Sequence, residues 1–207
     1  MDDLIKKIEK LKQSEIDKVV EKRINEFKNL NKNSNDELFK ELCFCILTAN
    51  FSAEKSIRIQ DEIGKCFLTD SRDILAKKLK NHGHRFPNMR ATYISDSLKC
   101  KNKLKEVVNF YNTNEIRDWI VKNVKGLGYK ESSHFLRNIG FDNYAIIDFH
   151  IIDILANHDL IDKPKSLSKN KYLEIEKLLK EIAIKTDLTL AELDLYLWYL
   201  ETGKILK

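Results

Sequence analysis

A primary amine and a carboxylate are the side chains of this sequence with the clearest potential for covalent catalysis. Lys130 lies in the first turn of a predicted helix, where its positive charge opposes the helix dipole, so helix stability does not explain it. Asp148 lies eighteen positions later, after a short apolar run that ends at Ile147. An amine attacks electrophilic carbon, and a fixed carboxylate stabilises the positive charge that develops there. One helix and a short connection separate the two residues, so we expect the chain to return and bring them face to face.

Asp148 also has a purely structural interpretation. It precedes a predicted helix, and aspartate is favoured at helix N-caps, where it accepts hydrogen bonds from first-turn amides and contributes about 1 kcal/mol. A capping carboxylate is held ionised and in one orientation, which a catalytic carboxylate also requires. The two interpretations are therefore compatible, and the sequence leaves both open.

Two glycines lie between two amphipathic helical patterns, in the segment 124–130 (VKGLGYK). Glycine permits positive φ and lets a phosphate approach the backbone, and the amides that open the second helix have no acceptor within that helix. Such a hairpin can hold a DNA strand without reading its bases. We expect Lys125, Gly126 and Gly128, together with His134 on the second helix, to contact the DNA backbone.

The composition indicates a folded protein with a modest excess of positive charge. Of its 207 residues 43% are hydrophobic, which excludes a disordered chain, and the net charge of +5 is compatible with a polyanionic partner without being diagnostic of one. No apolar run approaches a membrane span and no signal-peptide core is present, so we expect a cytoplasmic protein. The four cysteines match neither zinc nor iron–sulfur spacing, which predicts buried thiols and no metal site.

Helical periodicity runs through almost the whole sequence and predicts an all-α fold. After a polar break, a capping signature at Ser34 and Glu37 opens a nearly continuous apolar stretch, typical of a central helix. The apolar run 144–147 has strand character but is too isolated to pair. After the central helix, helices are expected at about residues 53–66, 71–79, 90–98, 101–110, 115–124, 151–157, 169–185 and 188–201, the last ended by Gly203, and the second hairpin helix has Lys130 in its first turn and stops at Gly140.

The hairpin with Lys130 and Asp148 resembles the helix-hairpin-helix DNA glycosylase superfamily, and specifically its bifunctional members, because monofunctional relatives lack the lysine. Segments 42–50 and 85–94, the chain length and the final lysine resemble the archaeal type of 8-oxoguanine DNA glycosylase/lyase, over most of the chain from about Glu37. Two features depart from the superfamily. Lys125 stands where many relatives have proline, and the cysteine cluster of the endonuclease III branch is missing, which removes an iron–sulfur cofactor from consideration.

The resemblance implies two helical domains with an active-site cleft between them. Residues 34–142 would form the central domain and contain the helix-hairpin-helix motif at about residues 115–140. Residues 1–33 and 143–207 would form the second domain from the two terminal segments.

The resemblance also implies a reaction. Lys130 would attack C1′ of a nucleotide flipped out of duplex DNA, while Asp148 stabilises the oxocarbenium-like sugar. Loss of 8-oxoguanine would leave the sugar held on Lys130 as a Schiff base, and β-elimination of the 3′ phosphate would then nick the strand. The expected partner is duplex DNA with an oxidised base, bound by a monomer in a prokaryotic cell of archaeal type. No cofactor is expected, and a structural monovalent cation at the hairpin carbonyls is compatible with the family.

Three residues are candidates for recognising the extruded base. Phe86 and Trp198 are expected to sandwich it, although ordinary core packing explains each of these aromatic residues equally well. 8-Oxoguanine carries a hydrogen on N7 where guanine has a lone pair, so discrimination needs an acceptor. The terminal carboxylate of Lys207 would supply that acceptor, and a frayed tail is its alternative interpretation.

Three more residues are candidates for contacts with the opened duplex. Asn50 follows the central helix, where this superfamily carries an amide that enters the vacated position, although a helix C-cap needs no such role. Arg85 and Arg90 are candidate contacts to phosphates or to the estranged cytosine, with surface solvation as the alternative.

Two other functions remain compatible with the sequence. A noncatalytic helix-hairpin-helix module would use the hairpin only to hold phosphate, and Lys130 with Asp148 argues against it. A glycosylase for other oxidised bases, as in the endonuclease III branch, would keep the chemistry and change the lesion. The missing cysteine cluster and the final lysine argue against that alternative.

Overall fold

The structure, a computed structural model, describes residues 1–30, 34–110 and 113–207. Within these residues the chain is helical and contains no β-strand, which confirms the all-α prediction. A 3₁₀ helix at Leu98–Lys103 leads directly into the eighth α-helix. In the described ranges the α-helices, α1 to α13, are Asp2–Lys12, Glu15–Leu30, Asn35–Thr48, Ala53–Ile63, Cys66–Thr69, Arg72–Asn81, Pro87–Ser97, Leu104–Phe110, Thr113–Asn123, Tyr129–Asn138, Phe149–Asn157, Lys169–Lys185 and Leu190–Thr202.

The chain forms two compact units. The internal unit comprises Leu30–Phe135, and the terminal unit comprises Met1–Asn29 and Leu136–Lys207. The sequence placed the second boundary after residue 142, whereas the structure divides the chain inside α10. The predicted boundary after residue 33 adjoins residues 31–33, which lie outside the described part of the chain.

The last turn of α10 explains why the division falls there. Arg137 is buried and its Nη1 lies 3.1 Å from Oδ2 of Asp194 in α13. The same guanidinium lies 4.7 Å from the ring centroid of Phe27 in α2. These contacts join the end of α10 to helices from both terminal segments, so that turn belongs to the terminal unit.

The internal unit is built around α3. Ser34 caps this helix by accepting a hydrogen bond from the Glu37 amide at 3.4 Å, as the capping signature predicts. Every residue from Glu41 to Thr48 is buried, which confirms the prediction of a central helix. The helices α4, α7 and α8 and the 3₁₀ helix pack on it.

The terminal unit holds an extended segment, residues 144–147, against α12. The Tyr172 hydroxyl donates to the Ala145 carbonyl (2.7 Å) and accepts from the Ile147 amide (3.2 Å), while Glu176 accepts from the Ala145 amide (3.0 Å). Side chains of α12 therefore satisfy backbone groups that a second strand would satisfy in a sheet. This explains how an isolated extended run is buried without pairing.

Three of the four cysteines are buried, as the sequence predicts. Cys43, Cys45 and Cys100 are buried, Cys66 is half-buried, and none of these four described residues forms a disulfide. Burial raises the pKa of the Cys43 thiol well above its usual value. Among the residues that the structure describes, no helix has the length and apolar character needed to span a membrane.

Candidate active site

The hairpin turn joins α9 to α10 through residues 124–128. Gly126 has φ +90°, and a Cβ at this position would lie 2.7 Å from Cε2 of Tyr93, so both the backbone conformation and the neighbouring ring require glycine. Gly128 has a negative φ, so the prediction of positive φ holds for only one of the two glycines. Lys125 is exposed, and its Nζ lies 5.7 Å from the Tyr93 ring centroid.

Lys130 is the second residue of α10. Its side chain is 25% exposed, and its Nζ lies 3.9 Å from Oε1 of Glu131. The other carboxylate oxygen of Glu131 accepts a hydrogen bond from the Gly128 amide at 3.3 Å. The Glu131 carboxylate therefore caps the N-terminus of α10. It also places a negative charge beside the partly exposed amine of Lys130.

Asp148 is the N-cap of α11, as one of its two interpretations predicts. Its Oδ1 accepts a hydrogen bond from the Ile151 amide at 3.1 Å, and its side chain is half-buried. The buried segment 144–147 precedes Asp148 and the first turn of α11 follows it, so the backbone of Asp148 is anchored on both sides. This cap uses one carboxylate oxygen and leaves the catalytic interpretation open.

Asn50 lies in the turn that follows α3, as predicted. It is exposed and has φ +56°, a conformation that residues other than glycine adopt rarely. Two side chains from the segment around the start of α7 bind the end of α3 beside Asn50. His84 Nε2 lies 3.1 Å from the Leu47 carbonyl, and the Arg90 guanidinium donates to the Ala49 carbonyl.

Arg90 is buried, whereas the sequence predicted a side chain exposed to DNA or to solvent. The residue is only 3% exposed, and burial lowers its pKa. Its hydrogen bond to the Ala49 carbonyl explains why a guanidinium is buried here, because the end of α3 leaves carbonyls that need a donor. In this structure Arg90 supports the turn instead of facing a phosphate, a base or solvent.

Arg85 and Phe86 lie at the start of α7. Arg85 is exposed, and its guanidinium carbon lies 5.0 Å from the ring centroid of Phe86. Phe86 is half-buried, and its amide donates to Nδ1 of His84 at 3.1 Å. The structure therefore leaves part of the Phe86 ring accessible, as a stacking role requires.

Trp198 is half-buried on α13, beside the start of α11. The ring of His150 meets it edge-on at 4.8 Å, and Nδ1 of His150 lies 3.7 Å from Oε1 of Glu201. Phe149 stacks on the other side of His150 at 4.0 Å and is 66% exposed. Part of this cluster faces solvent, so core packing alone does not account for it.

His134 differs from the prediction of a phosphate contact. It is 7% exposed, and its ring packs edge-on against Phe44 of α3 at 5.6 Å.

Lys207 ends a partly exposed segment that follows α13. Gly203, with φ +69°, ends that helix as predicted. Where the structure describes the chain, no group of three or more His, Cys, Asp or Glu side chains is placed to bind a metal ion.

The family model for 8-oxoguanine DNA glycosylase, Ogg-HhH, matches residues 20–188 of this chain. A protein named 8-oxoguanine DNA glycosylase/AP lyase from Methanocaldococcus jannaschii is 57% identical over 205 residues, which cover 99% of both chains. This chain belongs to the 8-oxoguanine DNA glycosylase family. A second relative with the same name, from Korarchaeum cryptofilum, is 50% identical and covers 100% of this chain and 99% of its own.

Solved structures of this glycosylase family have the same fold. The Methanocaldococcus jannaschii 8-oxoguanine glycosylase/lyase, crystallised with a 15mer DNA containing 8-oxoguanine, matches with a TM-score of 0.96 at 56% identity and covers 99% of both chains. The Thermotoga maritima 8-oxoguanine DNA glycosylase matches with a TM-score of 0.95 at 43% identity and covers 100% of this chain and 99% of its own. The helix-hairpin-helix glycosylase fold predicted from the sequence is therefore confirmed.

Sequence reasoning missed three residues that each adjoin one of the candidate residues. Glu131 follows Gly128 by three positions, which is the spacing of an N3 capping residue and could have been recognised. Phe149 adjoins Asp148 and is exposed, but an aromatic residue in an apolar run carries no sign of exposure. Tyr93 supports Gly126 from another helix, a contact with no local signal in the sequence.

Proposed function

We propose that this protein is a bifunctional DNA repair enzyme, an 8-oxoguanine DNA glycosylase/AP lyase. The observation that carries the proposal is an accessible lysine, Lys130, that opens the second hairpin helix against the local helix dipole. A noncatalytic phosphate-binding hairpin has no need of an amine at this position. Membership in the glycosylase family and the shared name of the two relatives above support the same activity and the same lesion.

Lys130 would supply the covalent step. Its neutral amine attacks C1′ as the bond from C1′ to the base nitrogen breaks, and the departing base takes a proton. Loss of the amine proton and opening of the sugar give a Schiff base between Nζ and C1′. Removal of a proton from C2′ then expels the 3′ phosphate, and hydrolysis of the Schiff base restores the lysine. One residue thus accounts for both glycosylase and lyase activity.

Asp148 would stabilise the sugar as positive charge develops. Its hydrogen bond from the Ile151 amide fixes the carboxylate, so little reorganisation is needed at the moment of reaction. The α11 dipole favours the ionised form at this N-terminus. We propose that Asp148 and Lys130 act on the same damaged nucleotide.

Base recognition is proposed for Phe86, Trp198 and Lys207. Phe86 and Trp198 are partly exposed aromatic residues, so each offers surface for stacking. The carboxylate of Lys207 would accept the N7 hydrogen of 8-oxoguanine. Asn50, exposed in a left-handed turn, is proposed to fill the vacated duplex position.

DNA backbone contacts are proposed for the hairpin and its surroundings. Lys125 and Arg85 are exposed cations, and the glycines of the turn, Gly126 and Gly128, would let a phosphate approach the backbone. Action as a monomer on DNA in the cytoplasm is part of the proposal. A monovalent cation at the hairpin and the lack of an iron–sulfur cluster stay predictions of the sequence.

Cleavage of a set of duplex oligonucleotides tests the proposed function. Each duplex carries 8-oxoguanine, guanine, thymine glycol or an abasic site, and alkaline and neutral work-up separate base loss from nicking. We expect cleavage of the 8-oxoguanine and abasic strands and a borohydride-trapped covalent complex. Preference for thymine glycol would instead assign the protein to other oxidised bases, and binding without cleavage would assign it a noncatalytic role.

A further inference from the structure

The C-terminal end of α3 is held by two buried side chains from the segment around the start of α7. A helix end leaves carbonyls without partners inside the helix. His84 Nε2 binds the Leu47 carbonyl at 3.1 Å, and Arg90 binds the Ala49 carbonyl. The ring of His84 also stacks on Phe51 with centroids 4.1 Å apart. These contacts surround the exposed turn of Asn50.

The same two residues hold Phe86. His84 Nδ1 accepts the Phe86 amide at 3.1 Å, which places the ring hydrogen of His84 on Nε2, where it can donate to Leu47. Burial lowers the pKa of His84, so the neutral ring that both bonds need is the stable form near pH 7. The guanidinium carbon of Arg90 lies 6.0 Å from the Phe86 ring centroid.

Arg90 also faces the hairpin. Its guanidinium carbon lies 5.8 Å from the ring centroid of Tyr93, and that ring packs against Gly126. Arg90 and His84 are 3% and 4% exposed, so neither presents a surface to DNA in this structure. A buried cation that binds a carbonyl, lies beside two aromatic rings and interacts electrostatically with the Glu131 carboxylate is placed to hold neighbouring parts in fixed positions.

We propose that His84 and Arg90 are positioning residues that couple the turn of Asn50 to the ring of Phe86, so that filling the duplex and stacking the extruded base occur together. This inference rests on the proposed function. It assigns Arg90 to support of the flipped state and not to contact with DNA. An abasic site has no base to stack, so the coupling serves base excision and is dispensable for the lyase step.

Substitutions of Arg90 test the proposal by separating rate from affinity. In Arg90→Met, the single-turnover rate of 8-oxoguanine excision at saturating enzyme should fall by about tenfold or more, because small displacements of positioning groups have large effects on rate. Nicking of a preformed abasic site should fall by less than about threefold, because an abasic nucleotide has no base for the ring of Phe86 to stack on. Arg90→Lys keeps the charge and one donor, so excision should recover in part.

Two other arginines provide contrasts. The exposed Arg85 is proposed to contact DNA directly, so Arg85→Met should weaken binding and reduce the salt slope of the binding constant by about one. Arg90→Met should leave that slope unchanged. Arg72→Met removes a guanidinium that is 61% exposed on α6 and should match the wild type in every measurement.

His84 provides a second test that does not depend on the stability of the Arg90 variants. His84→Phe keeps an aromatic ring and removes both hydrogen bonds, whereas His84→Gln retains one donor and one acceptor. Stopped-flow fluorescence of 2-aminopurine next to the lesion reports extrusion of the base. The amplitude should fall in His84→Phe and recover in part in His84→Gln, with thermal unfolding confirming that each variant is folded.

The outcomes are distinct. A lower salt slope in Arg90→Met at an unchanged saturated rate would make Arg90 a DNA contact and overturn the proposal. Equal losses of rate on 8-oxoguanine and abasic DNA in Arg90→Met, or an unchanged fluorescence amplitude in His84→Phe, would also overturn it. If the wild type does not excise 8-oxoguanine, the proposed function itself fails, a result that the variants cannot produce.

Discussion

The helices α10 and α11 begin in opposite ways, and the contrast separates functional from structural placement. Asp148 caps its own helix with a charge that the helix dipole favours. Lys130 places a cation where the dipole opposes it, and its neighbour Glu131 caps the helix by binding the Gly128 amide. Helix capping therefore explains the position of Asp148, whereas the helix dipole does not explain that of Lys130.

A residue whose charge is unfavourable at its position in a helix is a stronger indication of function than one whose charge is favourable there. An N-cap aspartate is expected in any helical protein, so Asp148 indicates a catalytic function only in combination with Lys130 in the same sequence. Variants that separate charge from capping can test each side of this contrast.

The largest effect is expected for Lys130→Gln. Without the amine no Schiff base can form, so borohydride trapping and nicking should both disappear while DNA binding persists. Because glutamine removes an unfavourable charge from the first turn, the free energy of unfolding should rise slightly, by about 0.3 kcal/mol. Trapping is measured on denaturing gels and stability by urea titration.

Lys122→Gln on α9 is the matched control for this variant, since Lys122 is exposed and lies outside the proposed site. It should trap DNA as the wild type does. Trapping that survives in Lys130→Gln would show that another amine is the nucleophile.

Asp148→Asn should have the second-largest effect. Asparagine caps helices as well as aspartate, so stability should change by less than about 0.5 kcal/mol, while base excision slows by roughly 100-fold or more through loss of the charge. Asp148→Ala removes cap and charge together and should in addition lose about 1 kcal/mol of stability. Single-turnover excision and urea titration distinguish the two. A wild-type rate in Asp148→Asn would reduce Asp148 to its structural role.

The hairpin glycines should differ from each other. Gly126→Ala forces a Cβ into the Tyr93 ring at positive φ and should cost about 1–3 kcal/mol of stability and weaken DNA binding about tenfold. Gly128→Ala places its Cβ 3.4 Å from Oε2 of Glu131, an ordinary contact, and should fold normally. Fluorescence anisotropy with duplex DNA measures the binding. Equal losses in both variants would contradict the distinct roles described for the two positions.

The smallest effect is expected for Glu131→Ala. Loss of the cap on the Gly128 amide should lower the free energy of unfolding by about 0.5–1 kcal/mol, and Glu131→Gln, which keeps an acceptor oxygen, should lose less. Thermal unfolding measures both variants. If Glu131→Ala is as stable as the wild type, the carboxylate does not act as the cap of α10.

Most of the fold could be predicted because it depends on local patterns. The helix Lys169–Lys185 agrees with its predicted range, and the caps at Ser34, Asp148 and Gly203 have the predicted form. Such signals arise from periodicity and from orphan amides and carbonyls at helix ends, which a single sequence contains.

The burial of two candidate residues, which the sequence did not predict, has a different physical origin. Arg90 and His134 are polar residues, and polar residues on a predicted helix are assigned to its exposed face. In the structure α10 is buried on every side from Ser132 onwards, and Arg90 is buried because it binds a carbonyl of another helix. Such tertiary partners have no signature in the neighbouring sequence, so burial of these side chains could not be predicted.

The extended segment before Asp148 has a consequence for how sequence change affects this site. Its backbone is held by the phenol of Tyr172 and the carboxylate of Glu176, whereas the side chains of residues 145–147 are aliphatic. Exchanges among aliphatic residues at 145–147 should therefore be tolerated. The residues that determine where this carboxylate lies are more than twenty positions away in α12, and drift there would disable the enzyme without altering any group that touches DNA.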